Sequence, residues 1–106
     1  MNARQGTLLL TWVMWYHIFG VGPGARDSTE KWSPLRTYET RESCEGSATR
    51  RAEAVASNLR RQVPGRTVEV TGAMADIVDP DGAHFIAAYM CYPDTFDPRA
   101  SKGSGR

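Results

Sequence analysis

The sequence predicts an α+β domain in which one long helix covers one face of a small antiparallel sheet of three to four strands. Between Cys44 and Val63 an apolar residue recurs every three or four positions, which is typical of an amphipathic helix. Segments with period-two alternation lie on both sides of that helix, bounded by glycine and proline. The 106 residues suffice for one domain, which we expect over residues 1–99 with a polar tail at 100–106.

The first predicted strand lies in an apolar run over residues 7–19. Period two places Trp12 and Met14 on one face and Trp15 and His17 on the other. The same run resembles a short signal-peptide core, but its aromatic residues and the weakly basic segment before it favour a strand. It is too short to span a bilayer. If the protein is exported, we expect its signal to lie upstream of Met1.

The helix and its flanks follow from local signals. Pro34 lacks a backbone donor, so the segment from Trp32 to Tyr38 is expected to be an edge strand or an extended connector. Thr40 is the predicted N-cap, and Pro64-Gly65 ends the helix. The predicted apolar stripe consists of Cys44, Ala48, Ala52, Val55, Leu59 and Val63.

The second half of the chain is predicted to form strands and one turn. Residues 67–71 alternate as a half-buried strand does, and Gly72 either ends or bulges it. Residues 74–78 are expected to continue the same hairpin arm. The segment from Asp79 to Gly82 (Asp-Pro-Asp-Gly) predicts a turn into a last strand over residues 84–92.

Cys44 and Cys91 are the two cysteines of the chain, and both fall where apolar faces of the helix and the last strand should meet. We expect them to form a disulfide, which on the chain-entropy model contributes about 4 kcal/mol. Such bonds persist in oxidising compartments, so the pairing favours an exported, periplasmic or envelope protein. The alternative is a cytosolic thiol protein in which Cys44, at a helix N-terminus, is reactive.

Charge and composition argue against several classes of function but do not identify the function of the protein. Thirteen basic and twelve acidic residues give a net charge of +1, so no overall field attracts nucleic acid or an anionic membrane. A weak nucleic-acid interface on the helix remains an alternative, through Arg50, Arg51, Arg60, Arg61 and Arg66.

Candidate polar sites favour structural roles. His17 and His84 belong to no ligand-spaced motif, so we expect no metal and no cofactor. Asp94 and Asp97 are expected to cap turns and to pair with Arg99, not to act as acid and base.

The stretch Cys91-Tyr92-Pro93-Asp94-Thr95-Phe96-Asp97-Pro98-Arg99 resembles the C-terminus of small uncharacterised bacterial proteins with a Cys-Leu-Pro-Asp-Thr-Val-Asp-Pro-Arg pattern. The start of the first strand and residues 38–44 are similar to that group as well. The resemblance implies a similar fold with paired cysteines, and an exported or lipid-anchored location without an assigned activity. The chain departs from the pattern at Tyr92, Phe96 and residues 100–101.

These observations predict no catalytic residue. We expect a non-enzymatic, disulfide-stabilised interaction or cell-envelope module. Its partner, which the sequence does not identify, would be another protein bound at an uncovered aromatic sheet face. The candidate contact residues are Trp12, Trp15 and Trp32.

Overall fold

A computed structural model describes residues 10–22 and 30–100 of the chain. It contains five strands and one helix: β1 Trp12–Gly20, β2 Lys31–Tyr38, α1 Arg41–Gln62, β3 Thr67–Thr71, β4 Met74–Val78 and β5 His84–Pro93. The predicted α+β class is therefore confirmed. Most of the predicted tail, residues 101–106, lies outside the described residues, as do residues 7–9 of the first apolar run.

The strands form one sheet in the order β2-β1-β5-β4-β3, and every neighbouring pair is antiparallel. The prediction of three to four strands is too low, because residues 74–78 form a separate strand. Thr71 pairs with Met74, so the chain reverses within the two residues between them. Gly72 has a φ of 59°, which glycine adopts without strain and which a tight hairpin needs.

β2 lies at one edge of the sheet, as Pro34 predicted. Its register with β1 shifts beside Trp15, where Leu35 is an extra, exposed residue. The predicted turn after β4 is also present: the Gly82 N–H donates to the Asp79 carbonyl at 2.9 Å. Asp79 in turn donates its N–H to the Ala83 carbonyl at 2.8 Å, which closes the loop before β5.

The helix connects the two edges of the sheet. Twenty-two residues give α1 a length of about 33 Å, more than the roughly 19 Å between the outer strands, so the helix can cross from the β2 edge to the β3 edge. Thr40 is the N-cap, and its side-chain oxygen accepts the Ser43 N–H at 3.0 Å. Glu42 lies in the first turn, where a carboxylate is favourable.

Small residues make the contact between α1 and the sheet. The fully buried helix positions are Cys44, Ala48, Ala52 and Ala56, each four residues after the last. The sequence predicted that Val55 belongs to the apolar stripe, but Val55 is only half-buried, and Ala56 is the buried residue there. A strict spacing of four without large side chains lets the helix axis approach the sheet closely.

The core consists of two clusters along this contact. Near the helix start, Met14, Cys44 and Ala48 are buried together. Farther along, Ala56 packs with the buried residues Val68, Ala75, Ile77 and Ala87 of the sheet.

Cys44 and Cys91 are joined by a disulfide, as predicted, with their Cα atoms 6.1 Å apart. The bond attaches the first turn of α1 to the C-terminal half of β5. It closes a loop in which the two residues are 47 positions apart. Within the described part of the chain, no helix has the length and apolarity needed to cross a membrane.

The close helix contact predicts a strong dependence on side-chain size at Ala52. Ala52→Leu adds three carbons where no side-chain surface is exposed, so we expect a loss of about 1–3 kcal/mol in the free energy of unfolding. Ala54→Leu, on the exposed side of the same helix, is the matched control and should change it by less than about 0.5 kcal/mol. Urea denaturation measures both. Equal effects of the two variants would contradict the packing described here.

Candidate functional site

A groove of about 680 Å³ runs beside the C-terminal half of β5, and we call it the β5 groove. Residues 89–92 of β5 form one wall. Glu45, Ala48 and Thr49 of α1 form a second wall, and Ala73 and Met74 close the end at the β3–β4 turn. β4 pairs with β5 only as far as Met74 and Ala88, so the groove reaches both faces of the sheet.

His17 borders the groove on the face of the sheet away from the helix. Its Nε2 lies 2.8 Å from a carboxylate oxygen of Glu30. The imidazole also stacks on the Trp32 ring, with centroids 3.7 Å apart and planes 8° from parallel, and on Phe19 at 4.7 Å. The ring is therefore held in one orientation by an ionisable partner and by aromatic contacts.

Tyr89 supplies a neutral phenol to the groove. Burial raises the pKa of Tyr89, and nearby Arg51 partly opposes that rise. The Tyr16 ring lies 5.2 Å from the Tyr89 ring, and burial raises the pKa of Tyr16 as well. Burial therefore favours the neutral phenol at both positions.

Glu45 is the one carboxylate that lines the groove among the described residues, and no Lys or Arg lines it there. Its Oε2 accepts a hydrogen bond from Arg41 Nε at 2.9 Å. More than half of each of these two side chains is exposed, and a helical surface pair of this kind contributes only a few tenths of a kcal/mol. The carboxylate can therefore exchange Arg41 for another cation at little cost.

The three tryptophans do not form the exposed patch that the sequence suggested. Trp12 lies on the helix side of the sheet, packed against the cluster around Met14 and Cys44. Trp15 lies on the opposite face but is only 5% exposed. Trp32 is half-buried, in edge contact with Trp15 at 6.4 Å and stacked on His17. The indole N–H groups of Trp15 and Trp32 are buried and have no hydrogen-bond partner.

The segment after β5 folds back over Trp15, which is why that face is not open there. The Arg99 guanidinium lies 4.9 Å from the Trp15 ring centroid, within cation–π range. Asp97 holds it in place, with 3.0 Å between Asp97 Oδ2 and Arg99 Nη2. The Arg99 backbone N–H donates to the same carboxylate at 2.8 Å, so Asp97 has the turn and pairing role that the sequence predicted.

The other candidate polar residues have structural partners. His84 pairs with Asp76 on the exposed sheet surface. Of the helix-side arginines, Arg60 donates to the Val68 carbonyl at 2.7 Å, and Arg66 pairs with Asp79 at 2.5 Å. Within residues 10–22 and 30–100, no three His, Cys, Asp or Glu side chains are placed to hold a metal ion.

Sequence reasoning did not find the β5 groove. Its walls come from residues that read as ordinary helix and strand positions, and the space depends on β4 ending before β5 does. One signal was present: Ala88 and Ala48 are small residues at positions where a larger side chain would fill the gap. Comparison with protein-family models, with curated proteins and with solved structures found no match.

The Asp97–Arg99 pair predicts a depressed carboxyl pKa at an exposed position. The hydrogen bond from the Arg99 side chain, with further help from backbone N–H groups, lowers the pKa of Asp97 from 3.8 to about 2. Because the folded pKa is the lower one, the stabilisation is present above about pH 4 and is lost as the pH falls towards 2.

A carboxyl-carbon NMR titration should place the Asp97 midpoint near 2 in the native protein, and Arg99→Gln should move it up towards 3.8. Arg50→Gln removes an exposed positive charge from the helix and serves as the control that leaves the midpoint unchanged. A native midpoint near 3.8 would show that the pair does not form in solution.

Proposed function

We propose that this chain is a non-enzymatic, disulfide-stabilised interaction module that acts outside the cytosol, exported or in the cell envelope, and binds a protein partner in the β5 groove. The observation that carries the proposal is the position of the disulfide. Cys91 lines the groove, and its bond to Cys44 ties the strand wall to the helix that forms the other wall. A groove with cross-linked walls is preformed, which lowers the entropy that binding costs.

The character of the lining supports binding over catalysis. Its side chains are mainly apolar and aromatic, with a few polar groups at the rim, as ligand sites commonly are. His17 hydrogen-bonds to Glu30 and stacks on Trp32 and on Phe19. The Glu30 contact favours an orienting role over a nucleophile–base pair at His17, which supports the proposal of a binding module.

The two rival functions have less support. A reactive Cys44 requires a free and accessible thiol, whereas Cys44 is fully buried and bonded to Cys91. A nucleic-acid interface requires arginines that are free to meet phosphate, whereas Arg60 and Arg66 are engaged by Val68 and Asp79. Both engagements would have to be broken before Arg60 and Arg66 could contact a phosphate backbone.

The cellular location of the protein is tested by alkylating free thiols in the source cells. The mass of the intact protein is then measured with and without prior reduction. A protein that functions in an oxidising compartment should gain no alkyl mass until it is reduced, and two alkyl groups afterwards. Two alkyl groups before reduction would mean that the bond is open in the cell, and the exported module would be rejected.

The binding surface is tested by photocrosslinking in the same cells. Benzoylphenylalanine at Tyr92, in the β5 wall, or at Met74, at the β3–β4 turn, should each yield the same discrete adduct. The same group at exposed Gln62, at the far end of the helix, is the control and should yield none. Adducts at all three positions, or at Gln62 alone, would place the partner elsewhere.

A further inference from the structure

β5 is twice as long as β4, and this difference leaves part of its edge without a neighbour. β5 has ten residues and pairs with β1 from Phe85 to Pro93. On its other side, the pairing with β4 stops at Ala88. The last bond on that side runs from the Tyr89 N–H to the Ala73 carbonyl at 3.0 Å. In the described part of the sheet, no strand faces residues 90–93 there.

The backbone direction shows which groups face the groove. The Asp94 N–H bonds to Thr11 before β1, and the Val21 N–H, after β1, bonds to the His84 carbonyl. The backbone N–H and C=O groups of even-numbered β5 residues therefore point towards β1. Those of odd-numbered residues point to the opposite side, away from β1. The N–H and C=O of Cys91 consequently face the β5 groove, where an extended chain could pair with them.

The two outer edges of the described sheet carry features that discourage strand addition. β2 has a proline, a register shift, and the charged residues Lys31 and Arg36. β3 has only five residues, with exposed Glu69 in the middle. Residues 90–93 of β5 contain no charged side chain. Pro93 ends the available edge, because it has no N–H and its carbonyl already accepts the Phe96 N–H at 2.9 Å. Natural sheets protect their edges with charge, proline and bulges, so the stretch from Met90 to Tyr92, which has none of these, is the edge suited to pairing.

The shape and charge of the groove define the occupant. The edge is recessed between α1 and the β3–β4 turn, which leaves room for one extended chain beside it. A side chain pointing to the helix would meet Ala48 and Thr49 and must be small, and one pointing away would meet Met74 and Met90. Glu45, with its weakly held Arg41, complements a cation on the occupant.

We propose that the partner is an extended, mostly uncharged peptide segment with an adjoining Lys or Arg, which adds to the stretch from Met90 to Tyr92 of β5 as a sixth strand. Main-chain hydrogen bonds would supply affinity, and the alternating side-chain pockets would supply specificity. The inference rests on the proposed function, because it names the chemistry of the partner in the same groove.

The test starts from a displayed library of random octapeptides panned on the oxidised protein, and the enriched peptide is then synthesised. We expect small and apolar residues to alternate in it, next to a Lys or Arg. N-methylation should weaken its binding about tenfold at the peptide residue that pairs with Cys91 and little at the two residues beside it, because only the N–H of the paired residue faces β5. The Cys91 amide should exchange more slowly in the complex.

Pairs of variants, one inside and one outside the β5 groove, test whether the peptide binds there. Thr49→Trp should fill the groove and weaken binding at least tenfold, whereas Gln62→Trp should not. Glu45→Gln should weaken binding of the basic peptide about threefold, and Glu53→Gln, on the exposed helix surface, should not.

The outcomes separate the two proposals. Binding that is lost in Thr49→Trp but tolerates N-methylation at every position would overturn strand addition and keep the groove as the binding site. Failure to enrich any peptide, or binding that survives Thr49→Trp, would also overturn strand addition. The photocrosslinking result then decides the proposed function independently.

Discussion

The fold depends on the close approach of α1 to the sheet, which the small residues Cys44, Ala48, Ala52 and Ala56 allow. Small side chains bury little apolar area, and Met14 and Cys44 are the largest side chains that are fully buried. A contact of this kind is tight but gives limited hydrophobic stabilisation. The disulfide compensates, since about 4 kcal/mol is a large part of the roughly 5–15 kcal/mol that stabilises a typical domain.

The same constraint explains the unpaired edge of β5. The helix begins after the edge strand β2, so Cys44 lies near the β2 side and near the end of the sheet where β5 finishes. Cys91 can bond to Cys44 only if β5 extends beyond its pairing with Met74, the residue at which β4 begins after the turn at Gly72. The groove is therefore a geometric consequence of bonding the start of the helix to the last strand.

Local signals predicted most of the fold, and tertiary geometry accounts for the rest. The Thr40 cap, the Asp79–Gly82 turn and the edge position of β2 follow from residue chemistry at adjacent positions. The cysteine pairing follows from the apolar faces on which Cys44 and Cys91 lie. The fifth strand was missed because Gly72 is equally consistent with a bulge and a reversal. The groove could not be predicted, because it depends on the relative lengths of two strands.

The three tryptophans occupy buried and half-buried positions, which the sequence pattern alone did not predict. No helix covers the second face of the sheet in the described part of the chain, and Trp15, Trp32 and His17 shield one another there with the help of Arg99. Tryptophans packed in this way offer a partner less surface than an open aromatic patch would. Recognition in the β5 groove would rely instead on the main chain of β5. Specificity would then come from the depth of the groove and the single carboxylate of Glu45 at its rim.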